Sequence, residues 1–134
     1  MEFGYRTSIL KREPFIVTKV TFQLEKGDAK VIKDKMDDLA LRRREKQPLE
    51  YASAGSTFKR PEGHFAGKLI MDAGLRGYQV GGARVSDKHC GFVINTGNAT
   101  AEDVYTLMKD VIKEVQDKFQ VTLEPEVIRL GEFN

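Results

Sequence analysis

The stretch from Thr100 to Phe119 sets the tightest limit on what this chain can fold into. Val104, Leu107, Met108, Val111, Ile112, Val115 and Phe119 recur at i, i+3, i+4, i+7 and i+8. That is one face of a 3.6-residue period, so the segment predicts an amphipathic helix whose apolar stripe the rest of the chain must cover. Thr100 and Asp103 have the spacing of a capping box and mark its start. A stripe this regular reads as core rather than as a face that touches a cofactor.

The remaining elements are shorter. From Phe15 to Leu24, Ile16, Thr18, Val20, Phe22 and Leu24 fall on one face, with Lys19, Thr21 and Gln23 toward the end of the opposite one, the period of a strand. Asp28 follows the Gly27 break and is placed to cap a helix carrying Ile32, Met36, Leu39 and Ala40 and ending near Pro48. Arg42-Arg43-Arg44 then read as its solvated last turn, complementing the helix dipole. A short helix is expected from about Gly63 to Ala73, stopped by Gly74. Tyr78-Gln79-Val80 and Phe92-Val93-Ile94 read as strands around the Gly81-Gly82 break. After the long helix, Val121 to Leu123 and Val127 to Leu130 read as extended segments divided by Pro125. Helices and strands in this order predict an α+β fold with a mixed sheet packed by helices.

Composition narrows the function classes. With 134 residues the chain fits one domain of common size. No apolar run approaches the ~20 residues of a membrane span and no signal peptide is visible, so a cytoplasmic protein is expected. A net charge of +2 is too slight to drive nucleic-acid binding, and no basic patch is interleaved with aromatics. Cys90 is the single cysteine, and with only His64 and His89 beside it no metal-ligand spacing exists, so neither a disulfide within the chain nor a metal is expected. Cys90 itself, before Gly91 in an apolar stretch, reads as inert.

The chemistry concentrates in the run from Ala54 to Gly67. Ser56 and Thr57 precede Lys59 and Arg60 among Gly55, Gly63 and Gly67. Glycines let backbone N–H groups approach a ligand, and the cations supply charge-assisted donors to an anion. The same run also fits an ordinary surface loop. Ser56-Thr57-Phe58-Lys59 matches the S-x-x-K pattern of an acylated serine, but Ser86-Asp87-Lys88 lacks the companion asparagine and Asn95-Thr96-Gly97 is not K-T-G. Gly63 to Leu69 has the wrong glycine spacing for a nucleotide-triphosphate loop and ends in Leu69 where Ser or Thr would hold magnesium. Gly81-Gly82 is a turn or a close backbone approach rather than a dinucleotide fingerprint. Glu126, between apolar segments, is placed where partial burial favours the protonated, hydrogen-bond-donating carboxyl. For His89 a structural role is the commoner outcome.

This run, together with Lys46-Gln47-Pro48-Leu49-Glu50-Tyr51, Gly74 to Ala83, Lys88 to Asn95 and Leu123-Glu124-Pro125-Glu126-Val127, resembles the UDP-N-acetylenolpyruvoylglucosamine reductase family of bacterial cell-wall synthesis. The resemblance covers nearly the whole chain but only the C-terminal part of such an enzyme. Phe3-Gly4-Tyr5-Arg6-Thr7-Ser8 resembles the end of the family's flavin domain, which implies a remnant of that domain over residues 1–26 and a C-terminal substrate-binding domain over 27–134. The resemblance implies an oxidoreductase of peptidoglycan synthesis that uses FAD and NADPH to convert UDP-N-acetylenolpyruvoylglucosamine to UDP-N-acetylmuramate, with the FAD-binding residues in a domain absent from this chain. By itself the chain is then expected to bind no flavin and to turn over nothing.

By the same resemblance Ser56 delivers the proton to the reduced enolpyruvyl group and Glu126 hydrogen-bonds the substrate carboxylate. Lys46, Arg60, Arg76 and His89 fall where the family contacts the sugar nucleotide, and Lys59 is the cation next to Ser56. Two departures stand out. Ala52 replaces a common proline, and Arg129 is displaced from the position directly after Val127, which turns its side chain to the other face of an extended segment. A stand-alone UDP-sugar-binding module without catalysis is the rival expectation. The alternating strip from Phe15 to Leu24, as an edge strand without its sheet, predicts self-association.

Overall fold

The computed structural model describes residues 1–4 and 7–131. Tyr5 and Arg6 of the block that resembles the end of a flavin domain therefore lie outside the described residues. The chain divides into two units, Met1–Asp34 and Lys35–Asn134.

In the first unit Gly4 and Thr7 exchange backbone hydrogen bonds of 3.0 and 3.3 Å. A 3-10 turn follows at Ile9–Lys11, and Arg12 pairs with Glu2. The segment from Phe15 to Leu24 forms no strand, which corrects the expectation from its alternation. An alternating pattern supplies two faces, but a strand exists only when another backbone pairs with its N–H and C=O groups, and among the described residues none does so here. Phe15, Ile16, Val17, Val20, Phe22 and Leu24 stay exposed.

Helix α1, Ala29–Lys46, begins in the first unit and ends in the second, and buries none of its residues. Asp28 caps it as expected, with Oδ1 accepting the Val31 N–H at 2.9 Å.

The second unit holds a four-stranded sheet in the order β1-β4-β3-β2, built from β1 (Ala52–Ser56), β2 (Gln79–Val80), β3 (Ala83–Val85) and β4 (Phe92–Asn95). Every pairing in this sheet is antiparallel. The α+β expectation holds, but the mixed sheet does not. For two of the pairings the reason is loop length: only Gly81-Gly82 joins β2 to β3, and a short turn joins β3 to β4, whereas a parallel pair needs a crossover of a dozen or more residues. Gly81 takes a left-handed φ of +52°, and a Cβ on Gly82 would sit 2.3 Å from the Ala99 nitrogen. Two glycines are what this hairpin can accept.

Helix α3, Ala101–Phe119, carries the predicted capping box at Thr100 and Asp103, and ends at Gln120 with φ +57°. Its Leu107, Met108, Val111 and Val115 are buried against Ala83 and Val85 of β3, Val93 of β4, and Leu69 and Ile70 of the short helix α2, Ala66–Asp72. Alternation along the strands sends Arg84, Phe92 and Ile94 to the opposite face of the sheet. The α2 to β2 link is braced by Lys118, which donates to the Ala73 carbonyl at 2.7 Å. Among the described residues no helix is long and apolar enough to cross a membrane.

Candidate active site

Ser56 ends β1. The β1–β4 register runs Ser53↔Ile94 and then Ser56↔Phe92, so β1 carries one residue more than its partner across this interval. Gly55 occupies the bulge with φ +85° and open space around it, so conformation rather than crowding demands glycine there. The sequence Ala-Ser-Ala-Gly-Ser lacks β-branched residues, which is why it reads as a loop. The bulge leaves Ser56 exposed and turns Thr57 into the protein, where it is 2% exposed.

Thr57 is the hub that the sequence reading missed. Its N–H donates to the Gly91 carbonyl at 2.8 Å, its carbonyl accepts the Glu126 N–H at 2.9 Å, and its Oγ1 accepts the Val93 N–H at 2.9 Å. Phe58 and Pro125 form an antiparallel bridge beyond it, and the Lys59 N–H donates to the Glu124 carbonyl at 2.8 Å. These bonds bring the Ser56 run and the Glu126 segment together, although they lie far apart in the chain. Glu126 is half-buried and its Oε2 is buried. Among the described residues the expected extended segments 121–123 and 127–130 pair with no strand, and the pairing in this stretch is the isolated bridge of Pro125 to Phe58. The displaced Arg129 lies over the Tyr105 ring of α3, with its guanidinium carbon 4.7 Å from the ring centre.

His89 reaches the same region from the β3–β4 turn. Its Nδ1 accepts the Gly91 N–H at 3.1 Å, and its ring meets Phe92, the partner of Ser56, edge-on with centres 5.0 Å apart. A Cβ on Gly91 would come within 2.9 Å of the His89 Cε1, and one on Gly67 within 3.3 Å of it, so glycine at both positions makes the seat. The turn is held by the buried Ser86, whose hydroxyl accepts the N–H groups of Lys88 and His89 at 3.2 and 3.3 Å. A serine two and three residues before those amides is a recognisable turn signal.

The cations expected at the ligand are not equivalent. Arg76 donates from Nη1 to the Asp87 carbonyl at 2.5 Å and from Nη2 to the Met71 sulfur at 3.0 Å, bracing the turn that carries His89. Lys59 pairs with Glu124 at 2.7 Å. Arg60 stacks on Phe65 at 4.0 Å and donates from Nε to the His64 carbonyl. Lys59, Arg60, His64, Thr122 and Glu124 line a cleft of about 400 Å³. Lys46 closes α1, exposed. Among the described residues no hydrogen bond or ion pair joins it to the Ser56 cluster, but Lys88 pairs with nearby Glu50 at 3.4 Å. Glu50's own backbone N–H, with help from Lys88, holds its carboxyl below the usual range. Burial raises the Cys90 thiol, with the Arg76 charge opposing, so it stays a protonated core side chain. Among the described residues no cluster of three His, Cys, Asp or Glu side chains forms a metal site.

Backbone pairing brings the segment after Ser56 beside that of Glu126, His89 packs on Phe92, the strand partner of Ser56, and the cation-lined cleft lies beyond the end of β1. A hydroxyl, a carboxyl and an imidazole can exchange protons, and the cations of the cleft can bind an anion.

The sequence profile of the UDP-N-acetylenolpyruvoylglucosamine reductase C-terminal domain matches residues 47–130. The chain is 62% identical to the UDP-N-acetylenolpyruvoylglucosamine reductase of Lachnoclostridium phytofermentans over 98% of its own length and 43% of that protein's. To the enzyme of the same name from Caldanaerobacter subterraneus it is 57% identical, covering 98% of this chain and 44% of that one. The crystal structure of UDP-N-acetylenolpyruvylglucosamine reductase from Thermus caldophilus superposes with a TM-score of 0.73 at 36% identity, over 93% of this chain and 44% of that one. The chain thus spans less than half the length of these relatives.

Proposed function

The chain belongs to the UDP-N-acetylenolpyruvoylglucosamine reductase family, and from that premise we propose that it is the substrate-binding part of an enzyme that reduces UDP-N-acetylenolpyruvoylglucosamine to UDP-N-acetylmuramate, with Ser56 and Glu126 as its reactive pair. The observation that carries this reading is the backbone bridge whose flanking hydrogen bond joins the residue after Ser56 to Glu126.

The Gly81-Gly82 turn does not fit the phosphates of FAD. A flavin dinucleotide needs free amides at a glycine turn, yet the Gly82 N–H is taken by the Asp103 carboxylate at 3.2 Å, a negative group that repels a diphosphate. FAD, and NADPH as the source of hydride, are therefore assigned to the rest of the enzyme, and this chain alone is expected to show no turnover. Its own residues act on the substrate. Ser56 Oγ, exposed at the end of β1, passes a proton to the substrate carbon next to the reduced one. Glu126, in its protonated form, donates to the substrate carboxylate and steadies the enol form there. His89 accepts the Gly91 N–H on Nδ1, so the neutral ring carries its proton on Nε2 and donates from that side. Arg60 and Lys46 supply positive charge to the diphosphate, and Arg76 supports the His89 turn. The exposed apolar strip from Phe15 to Leu24 supports association with another protein surface, either the flavin domain or a second copy.

The test pairs this chain with the N-terminal part of the Lachnoclostridium phytofermentans relative and follows NADPH oxidation with UDP-N-acetylenolpyruvoylglucosamine. Ser56→Ala and Glu126→Gln are each expected to lower kcat by about 10²–10⁴. Variants that turn over as fast as wild type would remove these two residues from the mechanism.

A further inference from the structure

Lys59 follows the serine turn closely and is naturally taken as a cation for the ligand. We propose instead that Lys59 and Glu124 are positioning residues: their ion pair fixes the register of the short ladder that sets Glu126 beside the Ser56 turn. This rests on the reading that Ser56 and Glu126 serve one site.

The ladder is short. Lys59 N–H to Glu124 C=O at 2.8 Å and Glu126 N–H to Thr57 C=O at 2.9 Å flank the Phe58↔Pro125 bridge. Pro125 has no N–H to add. The paired segments come from distant parts of the chain and share no turn, so side chains rather than loop geometry must choose the register. On one face Phe58 is buried. On the other, Lys59 and Glu124 stand directly opposite with Nζ and Oε2 2.7 Å apart. Residues two apart on an extended segment share a face, so Glu124 and Glu126 point the same way. A slip of one residue would send Glu126 to the opposite face. It would also set Lys59 opposite Leu123 or Pro125, the neighbours of Glu124, and so opposite no acid.

Both side chains are largely exposed, at 50% and 69%. An exposed pair contributes little to global stability, so its effect is read in the local alignment of the two segments, on the face where Thr57 also stands opposite Glu126. Lys59 and Glu124 also line the cleft. A ligand entering there meets a paired lysine, while the Arg60 guanidinium, stacked on Phe65, presents its charge alongside.

The experiment uses the full chain, isotopically labelled, as wild type, Lys59→Met, Lys59→Glu, Glu124→Lys and the double swap. It reads the exchange rate of the Glu126 amide and the carbon shift of its carboxyl, with urea unfolding to confirm an intact fold. Lys59→Glu is expected to speed that exchange by roughly two- to fivefold and move the carboxyl signal, Lys59→Met by less, and the swap to restore both. Wild-type exchange and shift in Lys59→Glu would overturn the proposal, as would a folded swap that stays as perturbed as the single variants. Titration with UDP-N-acetylglucosamine gives a separate arm: a swap that restores Glu126 but not nucleotide affinity would assign Lys59 to the ligand and overturn its positioning role. A wild-type chain that ignores the nucleotide would count against the functional reading, while the exchange data still decide the register.

Discussion

Replacing Thr57 with valine keeps the shape of the side chain and removes one hydroxyl from a position that is 2% exposed. In the native fold that oxygen accepts the Val93 N–H at 2.9 Å. Valine would leave a buried amide without an acceptor, which costs about 1–3 kcal/mol. Thr57→Ser is the informative control, since it keeps the oxygen and loses one buried methyl, worth about 0.8 kcal/mol. In urea unfolding, with a slope of about 2 kcal/mol per M for a domain of this size, Thr57→Val should lower the midpoint by about 0.5–1.5 M with the slope unchanged. Exchange of the Val93 amide should rise in Thr57→Val and stay near wild type in Thr57→Ser. Because the Thr57 carbonyl and N–H tie Glu126 and Gly91 to the serine turn, the valine variant should also loosen the site it underlies. A Thr57→Val midpoint equal to wild type, or a serine variant less stable than the valine one, would refute the hub assigned to this hydroxyl.

Gly82→Ala should destabilise by about 1–3 kcal/mol, since the new Cβ meets Ala99 backbone at 2.3 Å and a backbone segment, unlike a side-chain tip, cannot swing aside; calorimetric unfolding checks it. Asp103 accepts the Thr100 and Gly82 N–H groups, in that order of effect, and its carboxyl is held below the usual range. A lowered folded pKa means the stabilisation is complete above the free carboxylate's ~3.9 and is lost as pH falls through the folded value. Urea midpoints of wild type and Asp103→Asn should therefore differ most at neutral pH and converge in acid, and a difference that grows on acidification would reverse the assignment.

The sequence determined whatever depends on neighbours along the chain. The α3 stripe and its Thr100 and Asp103 cap, the Asp28 cap of α1, and the strands at Gln79–Val80 and Phe92–Asn95 all follow from periods and end signals a few residues long. The serine turn and the glutamate were visible as residue types in the right company. What tertiary structure alone decided is pairing. Phe15 to Leu24 has the alternation of a strand and is not one, while Ala52–Ser56 has none of its composition and is one, because β4 lies beside the second and no described backbone pairs with the first. Thr57, Gly91 and Glu126 meet through hydrogen bonds between segments that no local pattern connects. A backbone hydrogen bond across a sheet depends on where a distant segment comes to rest, and that is settled only when the core under α3 closes.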